Sequence, residues 1–175
     1  MCLAPLRRPL MLVAIVVALS ASACMGAPAP AEDVPRHGCL KQQYAEFSAA
    51  QRDLQEITAV LVVKLDSSLR EVARVAKNEQ IAQIDALQRA FEAQLDTAPE
   101  RLRLDQSVNG WLSLPSPPLA ELEARGIAPR SIVSKHPDWP RLKQLLASDR
   151  IVHLPEFEGP AVRALRAARE TSRCP

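Results

Sequence analysis

The chain has 175 residues, of which 47% are hydrophobic, 24% charged and only 3% aromatic. That length suits one domain of ordinary globular composition, and it excludes a collagen, an acidic disordered chain and a polytopic membrane protein. With 22 basic against 20 acidic side chains, the chain offers neither a broad basic surface nor an aromatic platform for nucleic acid.

Arg7 and Arg8 precede the apolar run Leu10 to Leu19, which is followed by the small residues Ser20-Ala21-Ser22-Ala23. A basic start, a short apolar run and a small-residue exit make residues 1–23 a secretory signal peptide. The run is too short to cross a bilayer of ~30 Å, which takes about 20 residues as a helix. Ala21-Ser22-Ala23 is an A-x-A cleavage site. With Cys24 it also resembles the lipobox of bacterial lipoproteins, although Ala21 stands where that signal prefers leucine. Two outcomes follow: lipidation of Cys24, or plain cleavage before it. Loss of Arg7 and Arg8 leaves 20 basic and 20 acidic groups, a neutral exported protein. The expected location is the periplasm of a Gram-negative bacterium, with a membrane anchor if Cys24 carries lipid.

Cys2 leaves with the signal and Cys24 is the lipid candidate, so Cys39 and Cys174 remain as an even pair. In an oxidising compartment such a pair reads as a structural disulfide. No spaced His or Cys partners accompany it, so neither a metal nor any other cofactor is expected.

Residues 24–38 hold Pro28, Pro30, Pro35, Gly26 and Gly38, and read as a flexible tether. A single helical domain is expected over residues 39–175. From Cys39 to Ala98 there is no glycine or proline, and Leu54, Ile57, Leu61, Leu65, Leu69, Val72 and Val75 recur three or four apart. After the polar stretch Lys77-Asn78-Glu79-Gln80 the period resumes with Ile81, Ile84, Leu87, Phe91 and Leu95. This predicts one long amphipathic helix, a rod of roughly 80 Å at about 1.5 Å per residue, or a hairpin folded at 77–80. The rod is the preferred reading, because only Asn78 in that stretch favours a turn. Asp66 with Arg70 and Asp85 with Arg89 are spaced to pair within the helix.

Beyond Ala98 the chain is more broken. Thr97-Ala98-Pro99-Glu100 predicts a capping-box helix start, and Ser116-Pro117-Pro118 opens a helix running to Gly126. His136-Pro137-Asp138 leads into a helix over 141–148, in which either polar residue is placed to cap. Ile151 to Leu154 reads as extended, and Gly159-Pro160 starts a last helix to about Thr171. The fold class is all-α: a long N-terminal amphipathic helix, or hairpin, with several short C-terminal helices packed on it and little or no β-structure. Residues 32–100 carry 12 acids and 8 bases, and residues 101–175 the reverse, 8 acids and 12 bases. The basic C-terminal helices are therefore expected to fold back on the acidic first half.

There is no nucleophile elbow, no zinc-binding helix motif and no phosphate-binding glycine loop. His153 with Glu156 and Glu158 is the densest polar group, and it would serve a small hydrolase as general base or acid if the three converged. The bland alternative, a polar loop before a helix, is the preferred reading. Arg163, Arg166, Arg169 and Arg173 form a cationic row suited to an acidic partner or anionic lipid headgroups, or to acids of the long helix. Trp111 and Trp139 are interface candidates by residue type, with core packing as the simpler role. The expected function is a non-catalytic envelope protein that binds another protein, as an assembly factor or inhibitor. The alternatives are the His153 hydrolase and a self-associating helical spacer.

Overall fold

The computed structural model describes residues 33–112, Ala124 and 131–175. The expected signal peptide over 1–23, Cys24 and, apart from Ala124, the helix expected over 117–126 fall outside those residues. Among the described residues the protein is all-helical, with no β-strand. Helix α1 (Asp33–Leu65) and helix α2 (Arg70–Thr97) pack side by side, and α3 (Trp139–Ala147) and α4 (Pro155–Arg169) lie against them.

The rod is not formed, and the fold in the chain is not at 77–80. Helix α2 runs unbroken through Lys77–Gln80, and the reversal comes at Asp66. Asp66 has extended backbone (φ −150°, ψ 98°), and its carboxylate accepts from the Ser68 N–H at 3.0 Å and the Ser68 hydroxyl at 2.6 Å. A short 3-10 turn, Ser67–Leu69, then feeds α2. Asp-Ser-Ser supplies the capping chemistry that starts a helix. Leu61, Leu65, Leu69 and Val72 keep helical spacing straight across the turn, because residues on both sides of it serve the same core.

Helix α1 also starts earlier than Cys39. Asp33 to Gly38 are already helical. Pro35 lies in the first turn, where its missing N–H would have had no partner in any case, and a Cβ at Gly38 would meet open space. The capping box expected at Thr97 is absent. Its hydroxyl donates back to the Ala93 carbonyl at 2.7 Å, and only a 3-10 turn, Pro99–Arg101, follows. Residues 151–154 are a turn, not an extended segment. Helix α4 begins at Pro155, with Pro160 in its interior.

Two cores occupy the two ends of the hairpin. The turn-end core joins Leu61, Val62, Leu69 and Val72 to Val133, Leu142, Leu145 and Ile151. The open-end core joins Leu40, Tyr44, Phe91 and Leu95 to Leu102, Val108 and Trp111. In it Tyr44 stacks on Phe91 at 4.1 Å between ring centroids, and burial pushes the Tyr44 hydroxyl up to about 12. Ion pairs climb the hairpin from its open end to its turn end: Lys41–Asp96 at 2.7 Å, Arg52–Asp85 at 2.7 Å and Lys77–Glu56 at 3.0 Å. Asp85 thus reaches across to α1 and not along to Arg89, and Asp66 pairs with Arg141 of α3 at 2.9 Å and not with Arg70.

Helix α4 runs antiparallel to α1. Near its start Lys64 meets Glu156 at 2.5 Å, and near its middle the Gln51 amide donates to the Ala164 carbonyl at 3.4 Å. Past its end the Gln43 amide donates to the Thr171 carbonyl at 2.9 Å, and the Arg173 N–H donates to Gln43 Oε1 at 3.1 Å. The Val108 N–H donates to the Glu170 carbonyl at 2.8 Å. One turn before Gln43 on α1, Cys39 is disulfide-bonded to Cys174, with 5.8 Å between the Cα atoms. The fold-back of the C-terminal half is therefore observed, but packing, backbone hydrogen bonds and the disulfide hold it. One of the ion pairs has its signs reversed from expectation, base on α1 and acid on α4.

Candidate functional site

An apolar cleft lies at the turn end. It has a volume of about 270 Å³ and opens between α1, α2, α3 and the 151–157 segment. Leu54 and Val62 wall one side, and Trp139, Leu142, Ile151 and Phe157 the other; Leu146 and Val152 stand exposed at its lip. Ala73 and Ala76 of α2 also line it, and Lys77 and Gln80 bring polarity to it. A second, shallower groove of about 430 Å³ adjoins it and shares Ala59, Ala73 and Lys77. Val60 and Val63 add to its apolar lining, beside Arg70, Arg74 and Lys77 of α2 and Glu56 of α1.

The charges around this second groove differ in how far they are satisfied. Lys77 donates to both oxygens of Glu56, at 3.1 and 3.0 Å. Arg74 forks onto Glu71 at 2.6 and 3.0 Å, which holds the Glu71 carboxyl below its ordinary range. Arg70 is exposed and meets no acid among the described residues.

The wall of the cleft is kept in place by a feature the sequence does not advertise. Glu79 is 7% exposed, and its two carboxylate oxygens accept the backbone N–H groups of Ile132 (2.9 Å) and Val133 (3.1 Å). Those amides open the 3-10 turn Val133–Lys135, which has no cap of its own. Glu79 caps it from α2 and so seats Val133 in the turn-end core. In sequence Glu79 sits in the middle of the most polar stretch of the helix, where it reads as solvated.

The predicted residues are distributed as follows. Trp139 lines the cleft, with the Lys143 ammonium 5.9 Å above its ring centroid. Trp111 is fully buried in the open-end core, its indole N–H donating to the Gln106 carbonyl at 3.0 Å, so it presents no surface to a partner. The arginine row divides: Arg163 turns to Asp53 of α1 at 3.9 Å, Arg173 is held by Glu170, and Arg166 and Arg169 are exposed with no acid among the described residues. His153 is exposed. Glu156 is committed to Lys64, whose hydrogen bond lowers its carboxyl below the ordinary range. No hydrogen bond or ion pair among the described residues joins His153 to Glu156 or Glu158. His136 accepts the Asp138 N–H on Nδ1 at 3.1 Å, a local turn contact before α3. No cluster of three or more His, Cys, Asp or Glu suited to a metal occurs among the described residues, and no described helix is long and apolar enough to cross a membrane.

No protein-family model matches the chain, and neither the curated proteins nor the solved structures give a significant match.

Proposed function

We propose that this is an exported, non-catalytic binding protein of the cell envelope that docks an amphipathic helix of another protein across the paired grooves at the turn end. The observation that carries the reading is the continuity of the apolar cleft with the adjoining groove through Ala59, Ala73 and Lys77. Small residues in the lining let an incoming helix approach closely, and exposed Val60, Leu146 and Val152 are aliphatic contacts awaiting burial. Arg74 is taken by Glu71 and Lys77 by Glu56, so Arg70 is the cation of the second groove that meets no acid among the described residues, and it favours a partner helix that brings an acidic residue there. The signal-like pattern of residues 1–23 and the imperfect lipobox at Cys24 support a place at the envelope for such a protein.

The test is a photo-crosslinking residue introduced at Val60 in cells, followed by mass spectrometry of the adduct, with the tagged parent run beside Leu146→Asp and Val152→Asp. One dominant protein, crosslinked through an amphipathic helical segment and lost in both variants while their melting temperatures hold, supports the reading. Crosslinks that persist unchanged in both variants refute it.

A further inference from the structure

We infer that α4 carries a second binding face, directed at an anionic phospholipid surface and independent of the grooves. Val162, Leu165, Arg166 and Arg169 are spaced i, i+3, i+4 and i+7, so they share one face of the helix. All four are exposed, Val162 at 48% and Leu165 at 55%. The opposite side of α4 carries Ala164 and Phe157 and is spent on the fold.

Three observations select a bilayer as the occupant. The first is charge: Arg166 and Arg169 meet no acid among the described residues, and Glu158 is the one exposed acid at the near end of the face. Arg163 flanks the face with only a long contact to Asp53, at 3.9 Å. The second is the pairing of cations with aliphatics. Guanidinium groups meet phosphates while Val162 and Leu165 enter the headgroup boundary, the arrangement of an interfacial helix. The third is shape: the grooves described above include no residue of this face, and a ridge between arginines suits a plane better than a knob. The helix is also already ordered. Lys64 holds its first turn and the Gln43 contacts with the Cys39–Cys174 bridge hold its far end, so binding incurs little ordering cost.

The experiment uses the full processed chain with Cys24→Ser, so that no lipid anchor contributes, and flotation with two kinds of vesicle. One kind is phosphatidylcholine alone, and the other is phosphatidylcholine mixed in equal parts with phosphatidylglycerol. Binding to the mixed vesicles alone is expected, weakening as salt is raised. Arg166→Gln with Arg169→Gln lowers partitioning about 25-fold, at roughly fivefold per arginine, and Leu165→Ala lowers it further, with melting temperatures unchanged. Leu146→Asp in the cleft leaves vesicle binding intact, which separates this face from the proposed partner site. Absence of binding to the mixed vesicles, equal binding to both kinds, or binding that survives loss of both arginines overturns the inference. So does a crosslinker at Arg169 that captures a protein in cells while vesicles are ignored.

Discussion

Replacing Glu79 with alanine tests whether one buried carboxylate holds the cleft wall. The change leaves the N–H groups of Ile132 and Val133 without their acceptor, and the two are not equivalent. Ile132 is 64% exposed and its amide can turn to water, whereas Val133 is 6% exposed and its amide cannot. A hydrogen bond to a charged group is worth about 1.5–3 kcal/mol, and a buried donor left alone costs about 1–3 kcal/mol. Counting Val133 in full and Ile132 only in part gives a loss of about 2–3 kcal/mol. For a domain of this size that lowers the melting temperature by about 6–12 °C. Glu79→Gln keeps an acceptor for one amide and opposes the other with a donor, so it should fall between the parent and the alanine variant. Thermal melts by circular dichroism give the order, and amide hydrogen exchange should show Val133 losing protection before the open-end core does. A Glu79→Ala protein that melts within about 1 °C of the parent would mean that the 3-10 turn seats itself, and the capping argument would fail.

The remaining expectations concern other parts of the fold. Reducing Cys39–Cys174, which spans 135 residues, should cost about 5 kcal/mol in the chain-entropy account; urea melts with and without reductant measure it, and a change under about 1 kcal/mol contradicts that account. Ser48 is buried with no partner for its hydroxyl among the described residues, so Ser48→Ala should raise stability by about 0.5–2 kcal/mol, and a lower melting temperature would show that the hydroxyl is satisfied. The carboxyl of Asp66 is held below its ordinary range, first by the Ser68 hydroxyl and then by the Ser68 N–H and Arg141. A depressed folded-state value stabilises above the unfolded value near 3.9 and is lost as pH falls through the folded one. The parent should therefore lose more stability than Asp66→Asn between about pH 5 and pH 2, and parallel melting curves across that range would discount the turn.

The helical class, the partnership of Cys39 with Cys174 and the return of the C-terminal half were legible because each is written in spacing or composition. The position of the hairpin turn was not, and the reason is physical. Leu65 and Leu69 flank the reversal yet serve one core, so the apolar period carries no trace of the break; Asp66-Ser67-Ser68 was the available signal. Lys77–Gln80 looked like a break because it is polar, but Lys77 faces Glu56 across the hairpin and Glu79 turns inward to two backbone amides. Polarity there reports partners and not solvent. The cleft was illegible for a related reason, since its walls come from four separate stretches of chain whose junction no local pattern encodes. The arginine row was visible, but not that Arg163 faces α1 while Arg166 and Arg169 face outward.

The bond between Cys39 and Cys174 also imposes an order of events on the growing chain. Cys39 lies in α1, and its partner Cys174 follows it by 135 residues. At about 5–20 residues per second the first thiol waits roughly 7–27 s for the second to be synthesised. The α1–α2 hairpin, closed by neighbouring stretches, can assemble during that interval, but the side of α1 around Gln43 and Gln51 lacks its partners until α4 and the residues after it arrive. The thiol at Cys39 and this uncovered strip are thus the vulnerable parts of the nascent protein, and in the sequence the nearest other thiol to Cys39 is Cys24. Acylation of Cys24 would remove that competitor, and α4 with Cys174 would then close both the strip and the bridge.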